Sequence, residues 1–209
     1  MRTRWLILVG AALTLALSGC QPLDEPPAPA GPPPVGDAAS VEALPVAAWA
    51  PMTGYKRERF PHWSSQGDGC DTRDVVLKRD GQAVVADTTC RITSGTWVSP
   101  YDGRSTGDPQ DLDIDHMVPL ANAWRTGAAT WTDEQRGLFA NDLGQPQLIA
   151  VTASTNRSKG DQDPSQWRPP REEYWCTYAR DWVAVKSYWG LSVTTDEKTA
   201  LVEMLGTCT

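Results

Sequence analysis

The chain has 209 residues and a formal net charge of −7, from 26 acidic and 19 basic side chains. That length allows one moderate domain and an appendage. Beyond residue 50, 22 acidic residues stand against 17 basic ones, which counts against a surface built on broad attraction to phosphate and leaves room for local basic patches or a bridging cation.

The N-terminus reads Met1-Arg2-Thr3-Arg4, an apolar run from Trp5 to Leu17, then Ser18-Gly19-Cys20. A basic start, a short apolar core and small residues before the cut describe a secretory signal. The run is short for a permanent span. Leu17-Ser18-Gly19-Cys20 resembles the bacterial lipobox, which implies a signal over 1–19 and lipidation of Cys20; an ordinary signal ending near a cysteine is the alternative. Residues 20–50 are rich in Pro, Ala and Gly and read as a semi-extended tether. The folded domain is expected over 51–209. The protein is therefore expected to be exported, and either anchored by lipid to the outer face of the cell membrane or released.

Four cysteines remain beyond Cys20: Cys70, Cys90, Cys176 and Cys208. An even number suits an oxidising compartment. Of three pairings, Cys70–Cys90 and Cys176–Cys208 are favoured, because each closes a local loop. A four-cysteine zinc site lacks the short spacings it would need.

In the domain, Lys56 to His62 reads as a short helix or loop and Thr72 to Lys78 as a short helix. Ala83 to Val85, Cys90 to Thr93 and Gly95 to Val98 read as strands, and Pro100-Tyr101-Asp102-Gly103 as a turn. Asp111 to His116 alternates polar and apolar, which predicts a half-buried strand with Leu112 and Ile114 on the core face and Asp111, Asp113 and Asp115 opposite. Leu120 to Thr126 is expected to be helical. Thr132 to Gln135 opens a second helix with a capping-box pattern. Gln147 to Thr152 reads as a return strand, followed by a short helix capped by Ser154 or Thr155 that bears Asn156, Arg157 and Lys159. Glu172 to Trp189 is the longest expected helix, and Thr194 with Glu197 opens the last. Strand, long insertion, strand and helix suggest a ββα-metal site within an α+β fold braced by C-terminal helices and two disulfides.

Two elements carry chemistry. Asp115 offers a hard oxygen suited to Mg²⁺ or Mn²⁺, and His116 a base near neutral pKa that can deprotonate water. Asn156 can add a neutral oxygen from the helix, while Lys159 and Arg157 can reach phosphate. Asp113, on the face of Asp115, is either a further metal ligand or a solvated aspartate. Arg73 either contacts phosphate or pairs with Asp71 or Asp74. The tryptophans on helices, and His62, read as structural.

Asp113-Ile114-Asp115-His116-Met117-Val118-Pro119-Leu120 and Asn156-Arg157-Ser158-Lys159-Gly160-Asp161 together resemble the HNH, or ββα-metal, nucleases, including the HNH domain of CRISPR-guided effectors. The likeness is closer to secreted actinobacterial HNH proteins related to the C-terminal domain of GmrSD-type restriction enzymes. There it spans residues 55–208, with Gly69 to Arg73, Trp97 to Gly103, Ala121 to Trp131, Phe139 to Leu143 and Trp167 to Pro170 in order. The resemblance implies that His116 is the general base, Asp115 and Asn156 hold a divalent cation (Mg²⁺ first, with Mn²⁺ or Ca²⁺ as alternatives), and nucleic acid is the substrate, DNA before RNA. It also implies a structural asparagine nine residues before Asn156. Here that position is Gln147, with Asn141 as a nearby substitute. The expected activity is endonucleolytic hydrolysis outside the cytoplasmic membrane, with no protein partner. The rivals are a catalytically weak HNH-scaffold lipoprotein that binds a cell-envelope partner, and a metal-dependent hydrolase of other esters.

Overall fold

The computed structural model describes residues 41–209. The expected signal, Cys20 and most of the tether lie outside the described residues. The last part of the expected tether is packed chain instead. Val41 and Leu44 are buried, Val46 bridges Val193, and the Ala47 amide donates to the Val193 carbonyl at 2.9 Å. Composition averaged over 20–50 hides these few apolar anchors; full burial of a side chain such as Val41 or Leu44 contributes about 1.5–3 kcal/mol.

Short strands β1 (Ser65–Gly67) and β2 (Cys70–Asp71) lead into helix α1 (Thr72–Asp80), opened by a reciprocal capping box between Asp71 and Asp74. Strands β3 (Gln82–Ala86), β4 (Ile92–Val98) and β5 (Ser105–Thr106) then form an antiparallel sheet in that order. Trp97 fixes this sheet to α1 by donating its indole N–H to the Leu77 carbonyl at 2.8 Å. Its ring lies so close to Gly81 and Gly95 that a Cβ there would meet it at 2.4 and 2.5 Å, so neither position has space for a side chain.

The alternating segment becomes β6 (Leu112–His116), paired antiparallel with β7 (Leu148–Thr152) in the register Ile114↔Ala150 and His116↔Leu148. Leu112, Ile114, Leu148 and Ala150 pack with Val76, Leu77 and Trp97 in one core cluster. Between the strands lie α2 (Leu120–Thr126) and α3 (Asp133–Ala140), the latter with the Thr132–Gln135 capping box. Helix α4 (Ala153–Lys159) follows β7 directly. Neither Ser154 nor Thr155 caps it: the N-cap is Thr152, which makes no side-chain cap bond and turns its hydroxyl to Asp102 instead. Gly160, at φ 56°, ends the helix in a conformation that favours glycine.

A 3₁₀ turn over Glu172–Tyr174 precedes α5 (Trp175–Tyr188), so the longest helix starts three residues later than the pattern predicts. Helix α6 (Thr195–Leu205) closes the chain with the Thr194–Glu197 capping box. Trp124, Phe139, Trp182, Leu201 and Met204 belong to the larger core cluster these helices share. Buried Lys186 donates to Glu197 at 2.6 Å and to the Ser192 carbonyl at 2.8 Å, while the Trp182 indole donates to the same Glu197 oxygen at 2.6 Å. The charged pair is thus hydrogen-bonded as well as neutralised, as burial requires. Both disulfides join the expected partners, Cys70–Cys90 and Cys176–Cys208, each with Cα atoms 5.0 Å apart. Among the described residues no helix is long and apolar enough to cross a membrane.

Asp181 on α5 carries a stability prediction. Burial pushes its carboxyl up to about 7, against hydrogen bonding from Tyr174 and the nearby Arg79 charge. A carboxyl with a raised folded pKa holds its proton better when folded, so it favours the fold at low pH and loses that contribution as pH rises from about 4 through 7. Asp181→Asn should therefore raise Tm over the parent at pH 8 by several degrees, a gain that shrinks at pH 5. Thermal melts at the two pH values check this, and equal gains would contradict it.

Candidate functional site

Residues from three parts of the chain meet at one cleft of about 270 Å³. The end of β6 brings Asp115 and His116, α4 brings Asn156 and Arg157, and the segment that runs into the 3₁₀ turn Arg57–Arg59 brings Tyr55 and Arg57. The β6–β7 ribbon followed directly by α4 is what places these side chains together.

His116 is only 5% exposed. Its Nε2 lies 2.9 Å from the Ala140 carbonyl. A carbonyl can only accept, so Nε2 carries the proton and Nδ1 keeps the lone pair. Burial pushes the imidazole down to about 3, against the hydrogen bond to Ala140, so it is neutral at physiological pH. Trp63 stacks on the ring with centroids 6.0 Å apart, and His62 stands edge-on at 6.4 Å while bonding the Phe60 carbonyl at 2.8 Å. Trp63 holds φ 61°, a costly conformation for a bulky residue.

Gln147 is fully buried and holds the loop after His116. Its Oε1 accepts from the Val118 amide at 3.1 Å, its Nε2 donates to the Val118 carbonyl at 2.9 Å, and its backbone carbonyl accepts from Met117 at 2.7 Å. Asn141 does not share this task. It binds Ser64, Thr72, Pro61 and Gly137 and organises the segment before α1.

Asp115 is also 5% exposed. Its Oδ2 accepts from Lys159 Nζ at 2.5 Å and from the Tyr101 hydroxyl at 2.6 Å. Burial pushes the carboxyl up and the lysine down, each opposed by the other's charge. Asn156 donates from Nδ2 to Asp113 Oδ2 at 3.2 Å. Asp113 is a pure acceptor when ionised, so this contact fixes the amide with its oxygen turned away from Asp113.

Two expected phosphate contacts are corrected. Lys159 is fully buried, and its three N–H groups go to Asp115, to the His116 carbonyl at 2.8 Å and to the Met117 carbonyl at 3.0 Å, with Trp182 at 5.7 Å. No donor remains for substrate. Arg73 does not line this cleft and does not pair with Asp71 or Asp74. It donates to the Pro109 and Leu112 carbonyls, both at 2.9 Å, and secures the start of β6. Arg157 is exposed on the cleft.

Sequence reading missed Arg57, Tyr55, Trp63 and Tyr101. Tyr101 had a faint signal, since it sits in the turn Pro100-Tyr101-Asp102-Gly103. Asp102 anchors that turn to α4 by accepting from Thr152 at 2.5 Å and Thr155 at 2.6 Å.

Comparison with known proteins adds two findings. The family described as GmrSD restriction endonucleases, C-terminal domain, matches residues 71–204. A protein of the fungus Arthroderma benhamiae (strain ATCC MYA-4681 / CBS 112371), named "Uncharacterized secreted protein", is 52% identical over 187 residues, covering 87% of this chain and 92% of its own. The expected likeness to actinobacterial proteins finds no support in that relative, which is fungal. No solved structure matches the chain.

Proposed function

This chain belongs to the family of GmrSD restriction endonuclease C-terminal domains, and from that premise we propose that it is an exported, metal-dependent nuclease of the HNH type. The observation that carries the reading is His116, bound through Nε2 to Ala140 so that Nδ1 is the nitrogen left for proton transfer, on the same cleft as Asp115, Asn156 and Arg157. Phosphodiester hydrolysis needs a base for water, a counter-charge for the phosphoryl oxygens and a means of carrying the leaving oxygen.

His116 Nδ1 takes the proton from the attacking water. Ala140 holds the tautomer and Trp63 holds the ring. Arg157 and Arg57, both exposed at the cleft, are the cations placed to bind phosphate oxygens. The donor set suits a small hard cation. Among the described residues no group of three His, Cys, Asp or Glu gathers to enclose a metal, but Mg²⁺ is commonly held by one or two carboxylates, water and substrate phosphate. Asp115 and Asn156 would hold it, and Asp113 would orient Asn156 rather than ligate. When bound, the cation supplies charge stabilisation at the phosphoryl and leaving oxygens.

Export rests on the N-terminal signal, the two disulfides and the secreted relative. Lipid attachment at Cys20 is part of the same proposal, and detergent phase partitioning of the parent and Cys20→Ser tests it. The test of function is to offer DNA, RNA and bis-(p-nitrophenyl) phosphate to the purified protein with Mg²⁺ or EDTA. Cleavage of nucleic acid that EDTA abolishes is expected. Hydrolysis of the simple diester alone would favour a different hydrolase, and cleavage unaffected by EDTA would remove the metal from the account.

A further inference from the structure

We infer that Tyr101 is a positioning residue for the catalytic carboxylate, aiming one oxygen of Asp115 at a divalent cation in the cleft. The inference rests on the metal-dependent reading above and goes beyond it, because it gives a role to a residue outside both chemical elements of the sequence.

A carboxylate on a strand end can rotate about its last torsion and present either oxygen. Here the rotation is blocked from the core side. The Tyr101 hydroxyl and Lys159 both donate to Oδ2, at 2.6 and 2.5 Å. The two donors engage Oδ2, which leaves Oδ1 as the oxygen available to a ligand on a residue that lines the cleft. A single presented oxygen suits a small octahedral ion that keeps most of its water.

The hydroxyl is held in place by more than its own bond. Tyr101 is fully buried, and its ring packs on Trp167, Tyr174 and Tyr178 at 5.4–5.8 Å. The next residue, Asp102, is bound to Thr152 and Thr155 at the junction of β7 and α4. The turn that carries Tyr101 is therefore tied to the helix that carries Asn156, so both proposed ligands are set by one rigid unit. Partners behind a metal ligand typically account for about 10- to 100-fold in metal affinity.

The test compares Tyr101→Phe with Tyr178→Phe in the full exported chain. Tyr178 belongs to the same aromatic cluster, but its hydroxyl has no hydrogen-bond partner among the described residues, so that variant controls for loss of a buried phenol. Isothermal titration with Mn²⁺ is the readout, alongside thermal unfolding. Tyr101→Phe should weaken Mn²⁺ binding about 10-fold or more, while Tyr178→Phe leaves it within twofold. In cleavage assays the Tyr101 variant should regain most of its kcat at saturating Mn²⁺, with the KM for DNA unchanged. Equal Mn²⁺ affinity in parent and Tyr101→Phe, or an equal loss in both variants, would overturn the inference and leave the nuclease reading standing. Failure of the parent to bind Mn²⁺ at all would overturn both.

Discussion

His116→Ala should lower cleavage by about 10²- to 10⁴-fold, the usual contribution of a positioned base, while the protein stays folded. The size follows from the geometry. Nε2 is committed to Ala140 and the ring is packed against Trp63, so one nitrogen in one orientation is available for proton transfer. The neighbouring His62 does not substitute, because it does not line the cleft and its ring stands 6.4 Å from that of His116. The loss should fall on kcat, with KM for DNA nearly constant, since the arginines that would hold phosphate are untouched. Circular dichroism should be unaltered. A variant with full activity would remove His116 from the mechanism. One with high KM and normal kcat would make it a binding residue.

Lys159→Met carries the largest expected effect on stability. Removing one member of a buried ion pair typically costs about 3–5 kcal/mol, because the remaining charge is stranded. Here the stranded group is Asp115, and the carbonyls of His116 and Met117 lose a donor as well. In a chain of this size each kcal/mol lowers Tm by about 2–4 °C, so a fall on the order of 10 °C is expected. Adding Asp115→Leu should restore part of it while leaving the protein inactive, since methionine and leucine need no partner. The outcome separates this account from a phosphate-binding lysine, whose loss would raise KM and leave Tm nearly unchanged.

The folding of the site was legible where local pattern decides it. Alternation placed β6 and put Leu112 and Ile114 on the core face, and the capping boxes at Thr132 and Thr194 marked two helix starts. The readings that failed turned on which way a long polar side chain points. Lys159 lies four residues after buried Thr155, so both share the inward face of α4, and its ammonium finds three acceptors at the end of β6. Arg73 likewise shares a face of α1 with buried Val76 and Leu77, and its guanidinium runs inward to backbone carbonyls. In each case main-chain oxygens, which leave no mark in a sequence, take part in holding the charge: two carbonyls beside the Asp115 carboxylate for Lys159, and two carbonyls for Arg73. Tyr101 escaped notice because its bond to Asp115 spans 14 residues and depends on how Asp102 folds the turn. Gln147 was legible as a position and not as a geometry: its longer side chain still reaches both the amide and the carbonyl of Val118.

The most direct test is incubation of the purified, disulfide-intact protein with supercoiled plasmid and Mg²⁺, with His116→Ala treated in parallel. Nicked and linear plasmid from the parent, absent with EDTA and absent from the variant, is the result predicted. Plasmid left intact by folded parent protein, or cut equally by the variant, would contradict the account.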